Sequence, residues 1–177
     1  VIVDALINRT VKEGIDYVKD AAKRDEERKA DQQAQDNVER TNYQQNIKPM
    51  LASIEKIRKE WDYIRNIKQK SYDVINGPNG ILPTLNEMQS RNCQSPYSTN
   101  VVEINDMQSL SASLNIEITD LKNKIAEADK VSLGLNDAVD GTDRERMISQ
   151  QNAIDFDNKY NTSEMQEQIS EGIVRQA

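Results

Sequence analysis

The sequence predicts an all-α protein, namely an elongated antiparallel three-helix bundle with a small loop-rich helical appendage. Apolar residues recur at steps of three and four over long stretches, which is the spacing of amphipathic helices. No segment shows the strict apolar–polar alternation that is typical of a half-buried strand. Hydrophobic residues make up 36% of the 177 residues and aromatic residues 5%. That share suits the narrow buried stripes of a thin bundle better than a thick globular core.

Residues 1–75 are predicted to form one long helix, or two helices kinked near residue 49. The first apolar stripe consists of Leu6, Ile7, Val11, Ile15, Val18 and Ala22. Residues 23–45 are crowded with charged and amide side chains. They are interpreted as a solvated or frayed helix, with a functional charged patch as the alternative. Pro49 cannot donate a helix hydrogen bond, so a kink or a new start is expected there.

The strongest stripe lies just beyond Pro49. It begins at Met50 and continues at steps of four and three through the predicted core residues Ile54, Ile57, Trp61 and Ile64. The apolar positions then drift to Ile67, Val74 and Ile75, as they do at an ordinary helical period of 3.6 residues. A short bundle is therefore favoured over a long coiled coil.

Residues 76–100 are interpreted as the appendage. The run Asn-Gly-Pro-Asn-Gly at residues 76–80 is typical of a helix stop, and a short helix is expected around residues 84–90. The segment is longer than the usual 2–8-residue connection in a bundle. Its apolar residues are therefore predicted to contact partners, or alternatively only to cover the bundle end; they are Ile81, Leu82, Pro83, Leu85, Met88 and Tyr97.

Residues 101–177 are predicted to supply two further bundle helices, within a single domain overall. A capping-box pattern at residues 100–103 precedes the first of them. The stripe of that helix consists of Met107, Leu110, Leu114, Ile118, Leu121, Ile125 and Ala128. Gly134 and the Asp140-Gly141 pair are expected to break the chain.

The last helix is predicted to start at a second capping box, residues 142–145. Its inward residues are predicted to be Met147, Ile148, Ile154 and Phe156. A bend or restart is expected at residues 161–163. The stripe then continues through Met165, Ile169 and Ile173.

Composition argues against several function classes. The chain has no His and a single Cys, so catalytic histidine, His-ligated metals and cysteine zinc clusters are not available to it. Its net charge of −7 argues against a dedicated nucleic-acid surface. Acid–base catalysis needs a carboxylate in an apolar, shaped pocket, whereas Asp and Glu fall mostly on polar faces in this sequence. We therefore expect no enzyme activity and no cofactor. Cys93 is interpreted as a free thiol, with an intermolecular disulfide as the alternative.

Residues 72–85 carry a more specific signal. The segment Tyr-Asp-Val-Ile-Asn-Gly-Pro-Asn-Gly-Ile-Leu-Pro-Thr-Leu resembles a segment of the TraC-type minor pilus subunits of type IV secretion and conjugation systems. That segment runs Tyr, apolar, small polar, Gly, two residues, Gly, apolar, two residues, Leu. The start Val1-Ile2-Val3-Asp4 and the order of helices around the motif are similar as well. The chain departs from the family at Pro78-Asn79, where an Arg or Ser-Arg is usual, so contacts of that loop do not transfer.

The resemblance implies a three-helix bundle that is exported to the periplasm and incorporated into an extracellular pilus. It implies contacts with the major pilin and inner-membrane secretion components, with a target-cell surface as an open alternative. Self-association through uncovered apolar strips is a further expectation. Because Val1 is not Met and no basic leader is present, the start is interpreted as a mature or a trimmed N-terminus, and for an exported subunit a removed signal peptide is expected. The competing interpretation is a cytoplasmic helical adaptor or chaperone that docks a partner through acidic amphipathic helices.

Overall fold

The computed structural model shows an all-α helical bundle. It describes residues 2–91, 100–162, 166–167 and 169–171, and every regular element in that part of the chain is helical. The α-helices are α1 (Ile2–Asn76), α2 (Ile81–Arg91), α3 (Asn100–Asp137) and α4 (Asp143–Tyr160), with one 3₁₀ turn at Ala138–Asp140 between α3 and α4. The predicted fold class is therefore confirmed.

The chain divides into two compact units, Val1–Asn46 and Ile47–Ala177. The first unit is the N-terminal part of α1. Its described side chains from residue 2 to residue 42 are all exposed except Ala21 and Glu39, which are half-buried. The second unit holds the rest of α1 together with the other helices. The prediction that the chain forms a single domain stays a prediction.

Helix α1 is continuous through Pro49, with no separate second helix. Proline lacks the N–H that would bond to the preceding turn, so one ladder hydrogen bond is missing at this point. Ile47 and Ile54 on either side of Pro49 are both buried. Burial of these flanking side chains offsets the lost hydrogen bond, and a new helix start near residue 46 does not occur.

Polar pairs fix the direction of the helices in the second unit. From α1 to α3, Arg58 pairs with Asp129, Lys68 with Glu117 at 2.7 Å, and the Asn76 amide donates to the Ser111 hydroxyl at 2.8 Å. Residue numbers rise along α1 as they fall along α3, so the two helices are antiparallel. Ser149 donates to the Gly134 carbonyl and Lys159 pairs with Glu127, so α3 and α4 are antiparallel too.

In the second unit the core follows the predicted stripes of α1 and α3 through most of their length, whereas the first predicted stripe, residues 6–22, is not buried. Trp61 is almost fully buried, and its ring packs edge-on against Tyr160 at 4.9 Å and Phe156 at 6.0 Å between ring centroids. Such edge-to-face contacts are favourable beyond the area they bury. The predicted core residues that the structure buries are Ile54, Ile57, Trp61, Ile64, Leu114, Ile118 and Ile125.

Other predicted core residues lie differently. Leu121 is half-buried, while Leu110 and Ile154 are exposed, so the prediction of a core position was wrong for these last two. In helix α4, Phe156 is buried as predicted, and Ala153 and Tyr160 are buried with it. Further toward its start, the less exposed positions are polar ones, and Met147 and Ile148 are exposed. A hydrophobicity pattern cannot detect an inward stripe built from small and polar residues.

The connection between α3 and α4 begins later than predicted. Gly134 is helical, because Leu135 and Ala138 beyond it are buried and carry the packed face onward. The chain leaves α3 at Asp137 and reaches Gly141 through the 3₁₀ turn. The Thr142 hydroxyl then accepts a hydrogen bond from the backbone N–H of Glu145 at 3.2 Å, which confirms the cap predicted for α4.

The chain after α4 is only partly described. Helix α4 ends at Tyr160, which agrees with the bend predicted to begin at residue 161. Ile169, which belongs to the stripe predicted beyond that bend, is buried. The predicted stripe residues Met165 and Ile173 lie outside the described residues, and so do Cys93 and Tyr97.

Candidate functional site

The candidate site lies at the end of the bundle where a tight turn joins α1 to α2. Helix α1 ends at Asn76, as predicted, and the Gly77 N–H donates to the Asp73 carbonyl at 2.7 Å. The Gly80 N–H donates to the Gly77 carbonyl at 2.8 Å, and α2 starts at the next residue. A Cβ at Gly80 would lie only 2.7–2.9 Å from three backbone carbonyl oxygens, so only glycine fits this turn without a shift.

The turn folds α2 back onto the bundle. Helix α2 covers Ile81–Arg91, three residues earlier and one residue later than the helix expected at 84–90. A cluster of five buried apolar residues joins α1, α2 and α3 at this end; it consists of Ile75, Leu82, Ile104, Leu114 and Ile118. Tyr72, Leu85 and Met107 pack against it. The described part of the appendage is therefore a packed helix.

Beside this cluster lies an open apolar groove with a volume of about 530 Å³. Its walls come from α1, α2 and α3, and we call it the apolar groove. Its lining residues are Ile67, Lys70, Ser71, Val74, Ile75, Ile81, Met107 and Leu110. Among these lining residues Lys70 is the only charged one.

Three members of the apolar groove expose a large apolar side chain. Val74 is 60% exposed, Leu110 is 45% exposed and Ile81 is 41% exposed. One comes from each of α1, α3 and α2, so they approach one another only because the turn brings the helices together. An apolar patch with a few polar groups to orient an occupant, here Lys70 and Ser71, is typical of a protein-binding groove.

The predicted contact residues divide between this surface and the core. Ile81 lines the apolar groove and Met88 is exposed. Leu82 is buried in the cluster with Ile75, so its prediction as a contact residue was wrong. Pro83 is half-buried, and Leu85 packs against the cluster. Tyr97 lies outside the described residues.

Of the groove residues, Leu110 was predicted as core and Val74 was placed on the apolar stripe of α1. Val74 and Leu110 continue the apolar stripes of α1 and α3, and periodicity alone assigns such positions to the interior. Val74 is followed by Ile75, and adjacent helical residues point about 100° apart, so a neighbouring helix seldom buries both. That adjacency is the one sequence signal that could have indicated an uncovered side chain.

A second groove, between α3 and α4, has a volume of about 570 Å³ and a more polar lining. One of its three carboxylates, Glu127, is already engaged, because it accepts a hydrogen bond from the Tyr160 hydroxyl and pairs with Lys159 at 3.4 Å. Burial, and then the hydrogen bond to Glu127, raises the pKa of Tyr160. The phenol therefore stays protonated and acts as a structural donor, which ties α4 to α3.

The described residues contain no group of three or more His, Cys, Asp or Glu side chains that could hold a metal ion. Within the same residues, no helix combines the length and the apolar character that crossing a membrane requires. No family model matches this chain, and neither does any curated protein or solved structure.

Proposed function

We propose that this chain is a non-catalytic minor pilus subunit of a type IV secretion or conjugation system, which mediates pilus assembly and cell contact. The segment at residues 72–85 supports the family assignment, since it resembles that of TraC-type subunits. The all-α bundle is the fold that the resemblance implies. The same segment forms the turn and three groove-lining positions, Val74, Ile75 and Ile81.

The observation that carries the proposal is the apolar groove. Its apolar walls, which come from three helices, suit an amphipathic helix laid into it, which is a recurring mode of peptide recognition. Lys70 at its edge favours a carboxylate on the occupant. The proposed occupant is a helical segment of the major pilin, with apolar side chains on one face and an acidic residue beside them.

Two groove variants test this assignment. Val74→Asp and Leu110→Asp place a charge in the groove at positions that are already exposed, so the fold should be kept. Burying an unpaired charge on binding is costly, and we expect each variant to bind purified major pilin at least about tenfold more weakly, a loss of roughly 1.4 kcal/mol or more. A strain that lacks the gene and expresses either variant should lose DNA transfer to a comparable degree.

Ile116→Asp is the matched control. Ile116 is 70% exposed on α3 but does not line the apolar groove, so this variant adds the same charge elsewhere on the same helix. It should bind the pilin and support transfer at the wild-type level. If Val74→Asp and Leu110→Asp behave like this control while circular dichroism shows folded protein, the groove is not the contact surface.

Localisation separates the proposal from the competing adaptor function. The pilus subunit is exported to the periplasm, whereas an adaptor or chaperone stays in the cytoplasm with its N-terminus uncleaved. Cell fractionation of the natural gene product, with mass spectrometry of its N-terminus, distinguishes the two. Cleavage ahead of Val1 with periplasmic location supports the pilus subunit. An uncleaved cytoplasmic product supports the adaptor, whose partner would then occupy the groove.

A further inference from the structure

The N-terminal unit carries an uncovered apolar face. Each large apolar side chain between residues 2 and 18 is at least 49% exposed; these side chains are Ile2, Val3, Leu6, Ile7, Val11, Ile15, Tyr17 and Val18. A helix takes most of its stability in water from packing of its apolar face against another element. The unit contains one helix, so it has no second element of its own for this purpose.

The spacing on this face is that of a helix-pairing seam. Ile7, Val11, Gly14, Val18 and Ala21 follow steps of four, three, four and three, which are the a and d positions of a coiled coil. Ile15 and Ala22 lie next to the seam and widen it. We call residues 7–22 the N-terminal seam.

Charge on this segment indicates what the seam contacts. Residues 2–24 carry five basic side chains, Arg9, Lys12, Lys19, Lys23 and Arg24, and four acidic ones, Asp4, Glu13, Asp16 and Asp20. A helix that lies on an anionic membrane needs an excess of Lys and Arg on its polar face, which is missing here. Two copies of a nearly neutral segment meet with little net repulsion, so the charge balance favours a second copy.

The available area suits a weak, reversible homodimer. Full burial removes roughly 60–120 Å² of apolar surface for each Ile, Val or Leu side chain, as usual transfer free energies indicate. The N-terminal seam has four such side chains in each copy, so pairing two seams removes on the order of 500–1,000 Å² in total, the size of a weak interface. We propose that the N-terminal seam pairs with the same seam of a second copy of this chain and forms a reversible two-helix contact. The inference does not depend on the proposed function.

Sedimentation of the full chain over a range of concentrations tests the pairing. The apparent mass should rise from 20.2 kDa toward twice that value as concentration increases. Val18→Asp places a charge in the centre of the seam and should raise the dimer dissociation constant at least about tenfold. Because Val18 is 66% exposed, thermal unfolding of the second unit should be unchanged in this variant.

Lys19→Asp is the control on the polar face of the same helix. It introduces the same residue one position away and changes the net charge by more, yet it should leave the dissociation constant within about twofold. The proposal is overturned by a wild-type chain that stays at 20.2 kDa at every concentration. It is also overturned by association that Val18→Asp does not weaken.

A gain in affinity tests the register. A Cβ at Gly14 would meet no atom within 4 Å, so the chain itself leaves space there for a larger residue. Leu is a favoured residue at a d position, so Gly14→Leu should tighten the dimer at least about tenfold. Gly14→Ala raises helix propensity without reaching across the seam, and should tighten it less. Equal effects of the two variants would contradict the a/d register.

Discussion

Leu82 and Ile81 are neighbours in the sequence but lie in different environments. Leu82 belongs to the buried cluster with Ile75, whereas Ile81 is 41% exposed and lines the apolar groove. At this end of the bundle, the Leu82 side chain holds α2 in place, while the Ile81 side chain remains accessible to a partner.

We expect Leu82→Ala to lower the free energy of unfolding by about 2–5 kcal/mol, because it removes buried methyl groups and leaves a cavity. Ile81→Ala should lower the same quantity by less than about 1 kcal/mol, since that side chain is only partly covered. Urea unfolding followed by circular dichroism measures both. Equal losses in the two variants would show that α2 does not pack as described.

The same pair of residues shows what the sequence predicts and what it leaves open. An apolar stripe at helical spacing indicates which residues avoid water, and it located Trp61, Ile57 and Ile118 correctly in the core. It does not indicate where the packed partner ends. For this reason Leu110 was predicted in the core but lines the groove, and Leu82 was predicted on the surface but lies in the buried cluster. The end of the bundle depends on how the turn at Gly77–Gly80 directs α2.

At the scale of elements, termini were predicted better than faces. The stop at Asn76 and the Thr142 cap of α4 follow from local chemistry that a sequence contains in full. The inward face of α4 does not follow in this way, because Ala153 and Tyr160 are selected by the ring of Trp61 and by the space between helices.

Gly80→Ala should destabilise the turn that joins α1 to α2. The added methyl group would press on the carbonyl oxygens of Val74, Ile75 and Gly77, and the backbone would have to move. We expect a loss of about 1–3 kcal/mol in the free energy of unfolding, the usual cost of overpacking a tight site.

Gly134→Ala provides the comparison for that loss. A Cβ at Gly134 would meet only the Ser149 hydroxyl at 3.9 Å, an ordinary contact, and Ala is the better helix former. Gly134→Ala should therefore leave stability unchanged or raise it by up to about 1 kcal/mol. Thermal unfolding of the two variants, measured in parallel, tests this difference. A Gly80→Ala variant as stable as the wild type would contradict the steric argument.

At the scale of the whole molecule, the two units differ in how many side chains are buried from solvent. Residues 2–42 have no fully buried side chain among those described, while the second unit is organised around Trp61 and the cluster at Ile75. Local opening costs least where few apolar contacts are lost.

Hydrogen exchange should therefore divide the chain in two. In dilute solution, amides of residues 5–40 should exchange at least about tenfold faster than those around Ile54–Ile64, which lie in a buried stripe. Mass spectrometry of peptic fragments measures this difference. Uniform protection along α1 at low concentration would mean that the first unit is stabilised by contacts other than pairing.

Ile75 belongs both to the buried cluster and to the floor of the apolar groove. The same side chain therefore contributes to the stability of the fold and to the shape of the groove. A substitution of Ile75 changes both properties at once. A substitution that reshapes the floor for a new ligand also loosens the seating of α2. Adaptation to different partners is then expected to proceed through the exposed groove residues Val74, Ile81 and Leu110, where substitutions affect the interior least.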